Sequence, residues 1–577
     1  MKNKRLFLIL SFLVVVFHVH ADDLDDFIRG QMQKRRIPGL SLAIIQDGKI
    51  LKAQAYGFID KDGKVPVTTN TLFQAGSVSK SVAAMGALYL VEQNKLFLDE
   101  NVNVKLKSWK VPDNEFTNEK KVTLRGILSH TTGLTVHGFP GYAVGAKIPS
   151  VVQILDGTAP ANTPPVRVDF VPGSRWRYSG GGYTVMQQLM VDVTGADFPA
   201  FMKKNVLSPL GMKNSTYQQP LPPELAKLTA TGHYNNRSLV EGRWHIYPEM
   251  AAAGLWTTPS DLARFAISIQ NAYAGKPGNV LSQSMTRQML TDQKNRDGLG
   301  VFLQGDSTTL RFGHNGRDEG FDALLTASVD KGKGIVIMIN ANDNSHMMGR
   351  IVDFIADYYH WDGFPVKSKL AAVDVDAKSL TAFEGRYELF NNRMVTFEAE
   401  SQRLFTLEDG FVDEEFVPVA PNKFTSTDRN VSVIFITDAN KNVTGFTLQD
   451  NDQHYERTVP RIGPLAHQTN ADPDPSRTPK IMTALQAMVK GGKMLEEASG
   501  LTLGAKRDFA GGMREPETLK SLTFIHSENV AGRGIKRHES DVSEIVTYQL
   551  KSNQPDTYIL VHLTSDGLVT DCDLVEK

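Results

Sequence analysis

Over roughly the first 365 residues, short apolar runs alternate with longer stretches whose apolar positions recur at helical spacing. Residues 40–46, which lead into an Asp47-Gly48 turn, and residues 335–339 are apolar and β-branched at consecutive positions, the pattern of strands covered on both faces. Residues 323–327 read the same way. Residues 77–93 and 260–272 read as helices, the second opening on a Ser260 cap after Pro259. No long linker interrupts this alternation from residue 22 to residue 365, which therefore reads as one α/β (α+β) unit.

Beyond Pro365 the texture changes. Residues 394–399, 403–407, 431–437 and 443–448 are short alternating runs, punctuated by Asn391-Asn392, Asp409-Gly410 and Asp438-Ala439-Asn440. They predict a small antiparallel β domain over 366–462, a sandwich or a barrel. Residues 463–479 hold Pro464, Pro473, Pro475 and Pro479 in a polar context and read as a linker. The last block, 480–577, opens on an amphipathic helix near 480–489. It closes on strands at 545–550, 558–563 and 568–574, the last two joined by the hairpin signal Thr564-Ser565-Asp566-Gly567.

The start of the chain has a different pattern. Lys2, Lys4 and Arg5 precede an apolar run over 6–17 broken only by Ser11, and Val19-His20-Ala21 ends on a small residue. That is the signature of a signal peptide over 1–21, and it predicts an exported protein, secreted or periplasmic, with no membrane span after cleavage. An uncleaved anchor is the other reading of the same run. Cleavage leaves 60 basic residues against 64 acidic ones, a formal charge of −4, which does not point to nucleic acid. The one cysteine, Cys572, excludes an intramolecular disulfide, a redox pair and a cysteine-rich zinc site.

Three segments carry candidate chemistry. In Gly76-Ser77-Val78-Ser79-Lys80 a serine at a helix start is followed by lysine at i+3, on the same face. If that face is buried, desolvation lowers the lysine pKa, and a neutral amine can take the serine proton. Taken alone, the spacing more often describes a serine cap beside a solvated lysine. Trp176-Arg177-Tyr178-Ser179-Gly180-Gly181-Gly182-Tyr183 would set a tyrosine, as phenol or phenolate, against glycines. It also reads as a glycine-rich turn between core aromatics, with no helix pattern after it to complete a phosphate loop. Gly313-His314-Asn315-Gly316-Arg317-Asp318-Glu319-Gly320-Phe321 reads as a small-residue strand edge whose N–H groups can face an oxyanion, or as a polar turn with a surface histidine.

In this order and spacing the three segments resemble the motifs of the penicillin-recognising serine hydrolases: Ser-x-x-Lys, Tyr-x-(Asn or Gly) and (Lys or His)-x-Gly. The similarity is to the class C β-lactamase-related branch, which includes esterases and D-amino-acid peptidases. Ile37-Pro38-Gly39, Leu128 to Leu134, Pro209 to Met212 and Ala253-Gly254-Leu255-Trp256 support it. The resemblance covers about residues 22–362. It implies a β-lactamase/transpeptidase-like sandwich with an antiparallel sheet, and needs neither metal nor cofactor. Ser77 would form an acyl-enzyme, Lys80 and Tyr178 would share the general-base work, and the backbone N–H groups of Ser77 and Arg317 would hold the oxyanion. His314 would polarise the tyrosine or contact substrate, with Asn315 and Gly316 lining the same edge, while His130 would be structural.

Two departures bear on the substrate. Gly180 stands where β-lactamases and DD-peptidases carry Asn, and His314 stands for a lysine that binds a substrate carboxylate in many relatives. Arg317 could restore that charge, or could pair with Asp318 or Glu319. The expectation is an ester, amide or lactam carbonyl in a small molecule or peptide, with esterase or cell-wall peptidase chemistry ahead of a β-lactamase. A weakly catalytic peptidoglycan- or peptide-binding protein is the alternative of another class. The β domain resembles the lipocalin-like domains appended to some family peptidases, and the last block loosely resembles an NTF2-like fold.

Overall fold

The computed structural model describes residues 22–576 except 236, 344, 346, 365–372, 374, 391–392, 401–402, 409–410, 428–430, 451–454, 466–470, 510–518, 520 and 551–556. The expected signal peptide and part of the expected linker lie outside the described residues. Among the described residues no helix is long and apolar enough to cross a membrane.

The first unit is built on a six-stranded antiparallel sheet. Its chain order begins with α1 (Asp22–Lys34), β1 (Gly39–Gln46), β2 (Lys49–Gly57), α2 (Val78–Glu92), α3 (Gly180–Thr194) and α4 (Pro259–Tyr273). It continues with β3 (Phe302–Gln304), β4 (Arg311–Asp318), β5 (Phe321–Ser328), β6 (Gly334–Ile339) and α5 (Met347–Tyr358). The spatial order is β2-β1-β6-β5-β4-β3.

The consecutive apolar residues of β1 and β6 follow from layers on both faces. Leu40, Leu42 and Ile44 join Ile335, Ile337 and Ile339 in a core with α1 and α5, where Phe27 stacks on Phe354 at 4.0 Å. Ala43, Ile45, Val336 and Met338 point the other way, into the larger core that contains residues of α2, α3 and α4. The register pairs Leu42 with Ile337, so the two-residue side-chain period feeds both layers at once. Helix α4 corrects one expectation. It starts at Pro259, and Thr258, not Ser260, caps it by accepting the Asp261 N–H at 3.3 Å. Proline suits the first helical position because its missing N–H would have no intrahelical partner there.

The β domain resolves the choice between sandwich and barrel. Eight antiparallel strands, from Gly385–Phe390 to Tyr455–Gly463, close into a barrel, with Tyr387 paired to Arg461 where the first strand meets the last. Tyr387, Phe397, Phe416, Phe424, Phe435 and Phe446 are buried together, with ring centroids 5.2–5.9 Å apart among their contacts. Packed aromatics thus fill its interior.

The last block packs helix Arg477–Lys490 on a four-stranded sheet. The three expected strands are joined by a fourth, Leu522–Asn529, at the sheet edge. The Thr564–Gly567 turn forms as expected, with Gly567 at φ +77° and its N–H on the Thr564 carbonyl. Arg537, fully buried, ties this block to the barrel: its guanidinium meets Glu388 of the barrel and Asp571 at 3.1 Å.

Because Ile337 is buried at the centre of the α1/α5 layer, Ile337→Ala should destabilise that layer by about 2–5 kcal/mol. Faster hydrogen exchange in β1 and β6 is the expected readout, with the barrel amides unchanged.

Candidate active site

Ser77 sits at the bend where the chain enters α2. Gly76, at φ +49°, makes the bend, and Val78, Ser79 and Lys80 close the turn by donating to the carbonyls of Ala75, Gly76 and Ser77. Although Ser77 occupies the N-cap position, its side chain makes no capping hydrogen bond. Its Oγ instead accepts from Lys80 Nζ at 2.8 Å. The reading as a cap beside a solvated lysine therefore does not hold.

Lys80 is 2% exposed. Its ammonium also donates to the Ala252 carbonyl at 2.7 Å and lies 5.0 Å from the centre of the Tyr178 ring. Burial lowers it to about 7, against a smaller opposing pull from Asp318. An amine that is uncharged near neutrality and 2.8 Å from a hydroxyl can accept its proton.

Tyr178 precedes α3, which corrects the expectation that no helix follows the glycines: Gly180, Gly181 and Gly182 are its first turn, capped by Ser179 Oγ on the Gly182 N–H at 2.9 Å. Burial holds the Tyr178 hydroxyl well above the usual phenol range, and the nearby Ser77 hydroxyl only partly offsets it. Of the two forms left open by the sequence, the neutral phenol is the one present near pH 7. Behind it lies His130, with its ring centroid 4.3 Å from that of Tyr178 and its Nδ1 accepting the Ser179 N–H at 3.1 Å. Burial keeps His130 neutral.

The third segment lies on β4, as expected. A Cβ on Gly316 would collide with the Ala75 carbonyl and stand 3.0 Å from Ser77 N, and one on Gly76 would collide with Arg317 N. The two glycines therefore let the backbone around Ser77 and the backbone around Arg317 approach closely.

His314 is buried on the inner face of β4, its ring centroid 6.1 Å from that of Tyr178 and stacked on Phe302 at 4.5 Å. Burial first, and then the Lys80 charge, lower it to about 3, so it is neutral at neutral pH. Its Nδ1 is 2.5 Å from the Asn315 carbonyl. A carbonyl only accepts, so that nitrogen carries the proton and Nε2 is left as an acceptor. His314 thus brings no positive charge to the place of the family lysine.

Arg317 pairs with an acid, but with neither of the two expected. Its guanidinium is bidentate to Asp322, at 2.7 and 2.6 Å, rather than paired with Asp318 or Glu319. Arg317 lies directly opposite Asp322 in the β4–β5 register. Asn315 and Arg317 are exposed on one face of β4, and His314, Gly316 and Asp318 are buried on the other.

Gly180 also has a steric cause. The segment 135–139 crosses the first turn of α3, where the Gly180 and Gly181 N–H groups donate to the carbonyls of His137 and Val136 at 3.1 and 2.9 Å. A Cβ on Gly180 would stand 2.9 Å from Phe139 Cε2 and 3.0 Å from the His137 carbonyl. Phe139 occupies the space that a side chain at 180 would take. Phe139 was invisible to motif reading because it is distant in sequence. The Ala252 carbonyl was missed as well, since backbone acceptors carry no sequence signal. Asp318 could have been found: it is four residues from His314 on a strand and so shares its face.

A family model described as Beta-lactamase matches residues 24–359. Protein flp of Staphylococcus aureus (strain MW2) is 24% identical over 348 residues, 58% of this chain and 65% of that protein. The chain thus spans just under two thirds of that relative. Penicillin-binding protein 4* of Bacillus subtilis (strain 168) is 24% identical over 429 residues, covering 70% of this chain and 91% of that protein. Among solved structures, the octameric penicillin-binding protein homologue from Pyrococcus abyssi is 20% identical with a TM-score of 0.51, covering 76% of this chain and 99% of that one. That likeness bears on the fold. The family match spans more than half of the chain and contains all three motif segments, so this chain belongs to the Beta-lactamase family.

Proposed function

We propose that the protein is an exported bacterial serine hydrolase that cleaves an ester or amide through an acyl-enzyme on Ser77. The observation that carries this reading is the fully buried Lys80 amine held 2.8 Å from Ser77 Oγ. In the proposed reaction, Lys80 takes the Ser77 proton as Oγ attacks the carbonyl carbon. The tetrahedral oxyanion lies between the N–H groups of Ser77 and Arg317. As the intermediate collapses, the Tyr178 phenol gives its proton to the leaving oxygen or nitrogen and regains one from Lys80. Water then attacks the acyl-serine by the same groups in reverse, and the acid and free Ser77 are released.

An esterase or a D-amino-acid or cell-wall peptidase fits better than a dedicated β-lactamase. Gly180 supplies no amide to the substrate, and Phe139 crowds the space where one would stand. His314 supplies an acceptor in place of a cation. Export through a signal peptide at 1–21 belongs to the same proposal. So does the division into a hydrolase unit over 22–365, a β domain over 366–462 and a last block over 480–577.

Three outcomes are expected. Ser77→Ala should abolish labelling by a fluorophosphonate and lower turnover roughly 10⁴-fold or more in a panel of p-nitrophenyl esters, nitrocefin and D- and L-aminoacyl p-nitroanilides. Labelling that survives in Ser77→Ala would refute the nucleophile. Tyr178→Phe removes the proton donor and should cost about 10²–10⁴ in kcat, with binding of substrate little changed. The kcat/KM profile should rise with pH through about 7, because Lys80 acts only after losing its proton and burial sets that loss near 7. A profile flat from pH 5 to 9 would contradict Lys80 as the base.

A further inference from the structure

We propose that the site takes substrates whose leaving group carries no carboxylate: esters of uncharged alcohols, carboxamides and internal peptide bonds. Peptides cut next to a free C-terminal carboxylate, and other substrates with an acid at that place, are disfavoured. This deepens the reading of Ser77 as the nucleophile and rests on it. A carboxylate that leaves water for a buried site needs a cation or several N–H groups in its place. The basic side chains around Ser77 are already engaged elsewhere.

The three motif segments contain four basic side chains: Lys80, Arg177, His314 and Arg317. Lys80 donates to Ser77 Oγ and the Ala252 carbonyl, and as the base it acts without its charge. Arg177 is held by Asp169, at 2.7 Å, and by the Gly133 carbonyl at 3.0 Å. Arg317 lies on the opposite face of β4 from His314. There both oxygens of the buried Asp322 take its guanidinium, and the Asp343 carbonyl accepts a further N–H at 2.7 Å. His314 donates from Nδ1 to the Asn315 carbonyl and presents an acceptor at Nε2. The flanking residues are committed in the same way. Arg175 lies 4.4 Å over the Phe170 ring, and His137 and His245 turn Nδ1 to the carbonyls of Tyr178 and Pro140 at 2.6 and 2.7 Å. Asp318 shares the buried face of β4 with His314. Ionised, it repels a carboxylate, and protonated, it brings no cation to attract one. The same wall of acceptors suits a leaving group that carries an O–H or N–H.

Two esters of one short acid isolate this charge: the 3-carboxyphenyl and the 3-carbamoylphenyl ester, which differ only in a carboxylate or carboxamide on the leaving phenol. With the full-length protein at pH 8, and rates corrected for spontaneous hydrolysis, kcat/KM should favour the carbamoyl ester about ten-fold or more. Equal rates, or a preference for the carboxylate, overturn the inference. Arg317→Ala keeps the backbone N–H and should leave the ratio of the two esters unmoved, whatever happens to the rate itself. A ratio that shifts further toward the carbamoyl ester in Arg317→Ala would mean that the guanidinium serves a carboxylate, and would also overturn it. Should Ser77 be labelled by a fluorophosphonate while neither ester turns over, protection against labelling replaces the rate. Protection by the carboxylate ester that equals or exceeds that by the carbamoyl ester then overturns the inference alone. A protein that neither labels at Ser77 nor cleaves either ester overturns the hydrolase reading, and the inference falls with it.

Discussion

Removing an ammonium from water is expensive, and the region around Ser77 is organised by that expense at Lys80. The fall from 10.5 to about 7 corresponds to about 5 kcal/mol against the charged form. The fold tolerates it because the amine has two hydrogen-bond partners, Ser77 Oγ and the Ala252 carbonyl, and two aromatic rings beside it. Each support comes from a different stretch of chain. Residue 77 is on the entry to α2, residue 252 on the short helix before α4, and Tyr178 and Tyr183 at the start of α3. The same desolvation that lowers the lysine keeps His130 and His314 neutral and Tyr178 protonated. The site is thus a set of uncharged donors and acceptors around one amine of intermediate basicity.

Backbone approach is the second requirement. Gly76 and Gly316 lack the Cβ atoms that would drive the Ser77 turn and β4 apart, so the two backbones pack closely there. Gly180 and Gly181 serve the crossing of segment 135–139, which takes up N–H groups at the start of α3 and seats Phe139 against Gly180. Val136 holds φ +66° in that segment, an uncommon conformation for a β-branched residue. The strain lies where the strap meets the tyrosine motif.

The two units after the hydrolase are built by other means. The barrel is filled by tilted and edge-on aromatic rings, which leave its interior to packing. The final sheet is joined to it through a buried arginine among carboxylates, with His562 Nε2 on Asp573 at 2.7 Å.

The sequence by itself determined whatever depends on local periodicity. The i, i+3 spacing put Ser77 and Lys80 on one face, unbroken apolar runs marked β1 and β6 as strands covered on both sides, and Thr564–Gly567 marked a hairpin. The order of the three motif segments carried the family. Tertiary structure decided what depends on distant segments converging. It buried Lys80, left Ser77 uncapped, sent Arg317 to Asp322, placed Phe139 against Gly180 and closed the barrel. It also turned the Gly180–Gly182 run into the first turn of a helix and moved the α4 cap to Thr258. Spacing along a chain fixes which side chains share a face, but a pKa or a steric limit depends on every atom nearby, and those atoms lie tens to hundreds of residues away.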